Sequence, residues 1–226
     1  MAMDNSEIYD DIARGSTDSV KNDVKITYID FMSALANSDT ISAYEMWSTY
    51  GKRTSQWVDN INDNYGTVIF HQTPTEMIAK CGDVKLITLW YNLIGENTLS
   101  LFLTKLEAYN YENDVTVVIN QLHKDYPMII ELIKARNIQG MVTLKTLIGQ
   151  KLASFFFVYP IIGFGWLNGL IALTQQVPDF KLEFEQIDTY YQLCVTNENI
   201  LFVQWFEDNY QVSDIDVETL GSNWDD

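Results

Sequence analysis

The groups with which this chain could do chemistry are two histidines, two cysteines and thirty-one carboxylates, and their spacing supports little of it. His71 and His123 have no Cys, His or carboxylate partner at the intervals a zinc site uses, so each reads as a polar helix or strand residue. Cys81 and Cys194 fall on apolar helix faces, where a thiol stays buried and inert. The run Gly163-Phe-Gly165-Trp-Leu-Asn-Gly169 follows an apolar stretch and has Asp188 downstream, as a dinucleotide-binding loop would. One residue too many separates its second and third glycines, and Pro160 interrupts the strand that should precede it, so a turn is expected instead. Asp59 to Gly66 has no register that supplies calcium ligands. Asp214, Asp216 and Glu218 alternate, enough for a weak divalent edge on an extended chain, and read as a solvated tail. There is no Gly-Lys-Ser/Thr phosphate loop and no Gly-x-Ser-x-Gly elbow. Paired Asp and Glu catalysts leave no local signature, and nothing here supports one. The expectation is a protein without catalysis, cofactor or metal.

Charge excludes more than motifs do. The chain carries a net −17, concentrated at its ends. From Asp179 to Asp226, twelve acids face one base, Lys181, whereas residues 75–152 balance eight against eight. Such a surface repels nucleic acid and acidic lipid headgroups. Direct nucleic-acid binding is not expected; the acids serve solubility or, in a sharper reading, imitate a phosphate backbone. Asn, Tyr and Ile are plentiful and Arg is scarce, a bias typical of AT-rich coding and compatible with bacteria and viruses. Two cysteines are too few for a disulfide framework, and the first residues lack the basic and apolar regions of a signal peptide, so a reducing, cytoplasmic setting is expected, or a virion if the protein is viral.

The elements that must position any site read as helices. Ser6 to Gly15 suits a short helix with Ile8 and Ile12 on one face, followed by a polar tether over residues 16–23. Ile26, Ile29, Met32 and Leu35 recur at helical spacing; Asp39 caps a segment bearing Ile41, Tyr44 and Trp47; Trp57, Val58 and Ile61 mark another. Thr67 to His71 is the first strand pattern. Thr73-Pro-Thr-Glu76 combines a capping box with proline at the first helical position, and a helix from there should run to about Gly95. Helices opening at Asn97, Asn113 and Asp125 follow, the last ending near Asn137 to Gly140. Downstream, Phe180, Phe184, Ile187, Tyr191 and Cys194 suggest one apolar stripe, and Ile200 to Tyr210 a last helix with Leu201, Phe202 and Trp205 inward. No repeat period is sustained, so no solenoid is expected.

Between Lys151 and Asp179 lie twenty-seven residues without a formal charge. Their length would permit a membrane span. Pro160, Gly163, Gly165, Asn168 and Gly169 would interrupt it, so the segment reads better as two buried elements, one ending near Tyr159 and one starting near Trp166, joined by a Gly-Phe-Gly turn.

The fold expected is mainly α: a single-domain bundle of short helices around a buried apolar central segment, with room for one or two short strands. It divides into an N-terminal arm and tether (1–23), a helical domain (24–210) and an acidic C-terminal tail (211–226). The leading function is protein binding, as a structural or assembly component acting as a homo-oligomer or within a larger assembly. Ile8, Tyr9, Ile12, Tyr190, Tyr191, Trp205 and Trp224 are the expected contact residues, being aromatic or apolar and set among acids. Two alternatives stand behind it: an acidic inhibitor that occupies the basic groove of a nucleic-acid-binding partner, and a protein that inserts residues 152–174 into a membrane.

Overall fold

A computed structural model describes residues 27–51, 70–108 and 115–212. The protein is a single helical bundle, and no strand occurs among the described residues. Local chemistry starts several of its helices. Thr27 and Asp30 form a reciprocal capping box at α1 (Tyr28–Ala36), and Asp39 caps α2 (Thr40–Thr49). Thr73 and Glu76 form a second capping box at α3 (Pro74–Cys81), where Pro74 occupies the first turn and loses no hydrogen bond. Asp83 accepts from two backbone N–H groups at the start of α4 (Val84–Trp90). One π-helical turn, Tyr91–Gly95, then carries the chain without a break into α5 (Glu96–Ala108). After α6 (Val115–Asp125) come α7 (Pro127–Lys134) and α8 (Ile138–Ile148), α9 (Phe155–Gly163) and α10 (Leu167–Gln176), and α11 (Ile187–Thr196) and α12 (Ile200–Asn209).

Ten of these helices form five pairs stacked in order. The first members, α1, α3, α7, α9 and α11, touch one another successively; the second members α2, α4, α8 and α10 do the same in a parallel row, and α12 closes the last pair against α11. Helices α5 and α6 are inserted between the second and third pairs, with α6 packed on α7 and α9. The repeat is one of structure within a single helical bundle, and no period in the sequence accompanies it. In four pairs the corner has the same hydrogen-bond pattern. Asp39 N donates to Ala34 O and Ser38 N to Leu35 O; Asn137 N to Leu132 O and Arg136 N to Ile133 O; Trp166 N to Ile161 O and Gly165 N to Ile162 O; Asn199 N to Cys194 O and Glu198 N to Val195 O, all between 2.8 and 3.0 Å. Each is a Schellman closure, with one left-handed residue at φ 57° (Ser38), 52° (Arg136), 62° (Gly165) or 54° (Glu198). Gly82, at φ 72°, turns the remaining corner.

The uncharged segment lies inside this body. Leu152, Phe157, Val158, Ile161, Ile162, Leu170 and Leu173 are fully buried, and each such side chain stabilises the fold by about 1.5–3 kcal/mol. Among the described residues no helix is long and apolar enough to cross a membrane. The Gly-Phe-Gly turn falls where expected, but α9 runs through Pro160 to Gly163 instead of stopping at Tyr159. The ring forfeits the bond its own nitrogen would have made to Phe156 O, and the burial of Pro160, Ile161 and Ile162 offsets that loss. Lys145, only 1% exposed, anchors the entrance to the segment: its Nζ donates to Gly149 O and Leu152 O, both at 2.8 Å, and sits over the rings of Phe157 and Phe180. Burial pushes the pKa of this ammonium down.

Other expectations need adjusting. The helix that begins at Pro74 ends at Cys81, because Gly82 turns left-handed and Asp83 caps afresh. Gly95 ends nothing; its Cα lies so close to the Trp90 ring that a Cβ would stand 2.6 Å from it. The buried stripe of α11 is Ile187, Tyr190 and Cys194, one position off the predicted set at its middle, and Phe184 is 77% exposed in a separate 3-10 turn. In α12, Phe202 and Phe206 face inward and Leu201 faces out. The strand pattern at 67–69 and the helix around Trp57 lie outside the described residues, and Phe70 is helical.

Candidate interaction surface

The five corners lie along one edge of the stack because each is tied to the next. Cys81 Sγ donates to Leu35 O at 3.4 Å, joining the first two. Asn137 Nδ2 donates to Ala79 O at 2.9 Å, joining the second and third. Arg136 reaches Phe164 O and Gly165 O at 3.4 Å, and Asn199 Nδ2 donates to Ile162 O at 3.0 Å, completing the row. Asn137 has a second task, since its Oδ1 accepts from Gly140 N at 2.8 Å and so caps α8.

This edge exposes apolar side chains. A helical Cα–Cβ bond tilts toward the N-terminus, so residues in the first turn of each second helix project out over the corner. Ile41 (72% exposed), Val84, Ile138, Ile200 (67%) and Leu201 (67%) occupy such positions, and Phe164 lies in the fourth corner itself. Among the described residues these are six of the eight large apolar side chains that are exposed, the others being Leu101 and Phe184. Exposure of that kind is therefore concentrated along one edge, interspersed with the cations Lys85 and Arg136, and a concentration of exposed apolar side chains makes a candidate interaction surface.

The residues singled out from sequence fare differently. Tyr190 is fully buried; its hydroxyl donates to Gln186 Oε1 and its ring packs 5.2 Å from Tyr159 and 6.4 Å from Phe206, so it serves the core and not an interface. Tyr191 is half-buried and donates to Glu207 at 2.7 Å. Trp205, also half-buried, packs its ring on Phe206 and Tyr210. The structure therefore does not gather the predicted aromatics into one open patch. Ile8, Tyr9, Ile12 and Trp224 lie outside the described residues. The corner residues were missed, although Asp39-Thr40-Ile41, Asn137-Ile138 and Asn199-Ile200 share a signal: an Asx at the position before a helix, followed at once or after one residue by isoleucine.

The described interior offers little to a reaction. His71 and His123 are both exposed, and no group of three His, Cys, Asp or Glu side chains is placed to hold a metal ion among the described residues. Cys81 and Cys194 are free thiols, and burial raises the pKa of both, that of Cys194 to about 12, which removes nucleophilic thiolate at neutral pH. A small cleft bounded by Phe31, Trp47, Ile78, Leu86, Trp90 and Ile94 is almost wholly apolar. The Gly163–Gly169 segment is a corner in which Gly169 lets the Trp166 ring approach within 2.4 Å of where a Cβ would sit. The chain matches no protein-family model, no curated protein and no solved structure.

Proposed function

We propose that this protein is a non-catalytic binding component that holds other proteins against its corner edge, as a structural or assembly element in a reducing, cytoplasmic setting or, if viral, in the virion. The single observation that supports this reading is the concentration of exposed aliphatic side chains on a strip built by five hydrogen-bonded corners. A stack of helix pairs holds such a strip rigid, which lowers the entropic cost of binding. The two free thiols agree with a reducing compartment. Affinity capture from the native source, with products separated by size, tests the reading: a defined partner or oligomer should be retained by the wild-type chain and lost from an Ile41→Ser, Ile200→Ser, Leu201→Ser variant. Equal retention by both would refute it.

A second reading, that of an acidic inhibitor, is favoured by the last pair, where Glu183, Glu185, Asp188, Glu198, Glu207 and Asp208 are all exposed. There duplex DNA should compete with the protein for its target, and replacing these acids by amides should abolish capture while the edge variant keeps it.

A further inference from the structure

Resting on the reading of the corner edge as the binding surface, we propose that its third, fourth and fifth corners bind the same corners of a second copy of this chain, laid in the opposite direction about a twofold axis at Phe164.

Charge complementarity between like corners is the first ground. Arg136-Asn137-Ile138 and Glu198-Asn199-Ile200 occupy equivalent places in the third and fifth corners. Arg136 and Glu198 are the left-handed residues, at φ 52° and 54°, the asparagines stand before α8 and α12, and the exposed isoleucines open those helices. The leading residue of each trio is exposed, and its charge has opposite sign in the two. Both corners are tied to the fourth, Arg136 to Phe164 O and Gly165 O and Asn199 to Ile162 O, so they flank it on either side. Turned about an axis through the fourth corner, the third corner of one copy lies over the fifth of the other. Arg136 then faces Glu198 of the second copy, and Ile138 faces Ile200 and Leu201 of the second copy, each contact occurring twice. Arg136 has only two bonds of 3.4 Å to carbonyls, and Glu198 forms no ion pair among the described residues.

The shape of the fourth corner is the second ground. Gly163 and Gly165 flank Phe164, all three are exposed, and a Cβ at Gly163 would meet nothing within 4 Å. Bare backbone thus leaves room beside the Phe164 ring for the same ring of the second copy, in the offset contact that aromatic pairs prefer. Residues 152–178 carry no charge, so nothing at the axis repels. An axis through the third corner would set Arg136 against itself, and one through the fifth Glu198 against itself, like charges that weaken association. The first two corners, with Ile41 and Val84, stay free for another protein. Corners about 10 Å apart on an edge about 15 Å wide give two copies about 900 Å² of buried surface in all, the size of a transient contact. The dissociation constant should accordingly be on the order of 10–100 μM.

Sedimentation velocity on the purified full-length chain tests the pairing. A monomer–dimer equilibrium should appear in that range, and Arg136→Glu or Glu198→Lys should each weaken it about tenfold, with the double variant returning to within about threefold of wild type. Glu198→Lys separates interface from net charge: it makes the chain less negative, so repulsion between whole molecules predicts a tighter dimer where the interface predicts a weaker one. The double variant keeps the net −17. Phe164→Cys should form a disulfide with its own counterpart under mild oxidation, faster than Ile41→Cys does, each variant being checked for native helix content. A wild type that stays monomeric to about 500 μM would overturn the proposal. So would a dimer that Glu198→Lys leaves unchanged or tightens, and so would faster self-linking at Ile41 than at Phe164. A monomeric wild type whose captured protein is still lost from the Ile41, Ile200, Leu201 variant would leave the binding edge standing and sink only the second copy as its occupant.

Discussion

Asn137 joins two helix pairs and starts a helix at once, so its removal gives a graded test of how the stack is held. In Asn137→Ala the cap on α8 disappears, which costs about 1 kcal/mol. The bond to Ala79 O disappears as well, a further loss of about 1 kcal/mol. The Schellman bond from Asn137 N to Leu132 O belongs to the backbone and survives. The expected total is about 2 kcal/mol, or a fall of about 4–8 °C in Tm for a chain of this size. Asn137→Ser restores a capping oxygen but cannot reach Ala79, so about half the loss should return. Asn199 makes the equivalent bond to Ile162 O without capping its helix, and Asn199→Ala should cost only about 1 kcal/mol. Urea denaturation followed by far-UV circular dichroism measures all three. If Asn137→Ala changes stability by less than 0.5 kcal/mol on the order of experimental error, or if Asn199→Ala matches it, the tie between corners is not what holds neighbouring pairs in register.

Three further outcomes follow from the packing. Gly140 stands in the first turn of α8 with Ile87 and Leu132 where a Cβ would be, at 2.6 and 2.7 Å, so Gly140→Ala should destabilise by about 1–3 kcal/mol despite its better helix propensity, as urea midpoints would show. Lys145→Met keeps the volume but leaves Gly149 O and Leu152 O without the ammonium, and should cost about 1–4 kcal/mol in the same assay. Stability should also fall on the alkaline side. Burial raises the pKa of Cys194 from 9.0 to about 12 and pushes those of Tyr28, Tyr126 and Tyr190 up, so the unfolded chain loses these protons first; their contribution is complete below pH 9 and is lost as pH climbs through the folded values. Lys145 acts the other way, its lowered pKa adding stability as pH rises toward 10.5, but one lysine opposes eight acids, since burial also raises Cys81, Tyr91, Tyr159 and Tyr210. Cys194→Ala combined with Cys81→Ala should therefore move the onset of the loss from about pH 9 to about pH 10 in urea titrations run at successive pH values.

The parts of the fold legible in the sequence were those written in local chemistry. Thr73-Pro-Thr-Glu76 announces α3 because both halves of its capping box and its proline are local to one turn, and Asp39 does the same for α2. The uncharged segment announces its own burial, and Gly163-Phe-Gly165 its turn. The stack itself was not legible, for two reasons. Three of the left-handed corner residues are Ser38, Arg136 and Glu198, and none is the glycine that a corner pattern looks for, although each bears a conformational cost of about 1–2 kcal/mol. The corners are also unevenly spaced, Gly82 to Arg136 covering nearly twice the residues of Arg136 to Gly165 because α5 and α6 intervene, so no period survives. The exposed apolar edge was hidden by the same cause. Periodicity assigned Ile41 and Leu201 to buried faces, but a first-turn residue projects off the end of its helix, and that placement depends on knowing where the corner lies. Tyr190 and Tyr191 were indistinguishable as neighbours in sequence, and a rotation of about 100° decides which enters the core.

The central claim, that other proteins meet this one along its corner edge, is tested most directly by site-specific photo-cross-linking in the native source. A benzophenone side chain placed singly at Ile41, Ile200 or Leu101 keeps each probe on an exposed position, two on the edge and one on α5 away from it. The account predicts discrete heavier adducts from Ile41 and Ile200 and none from Leu101. Adducts from Leu101 with none from the edge would contradict it.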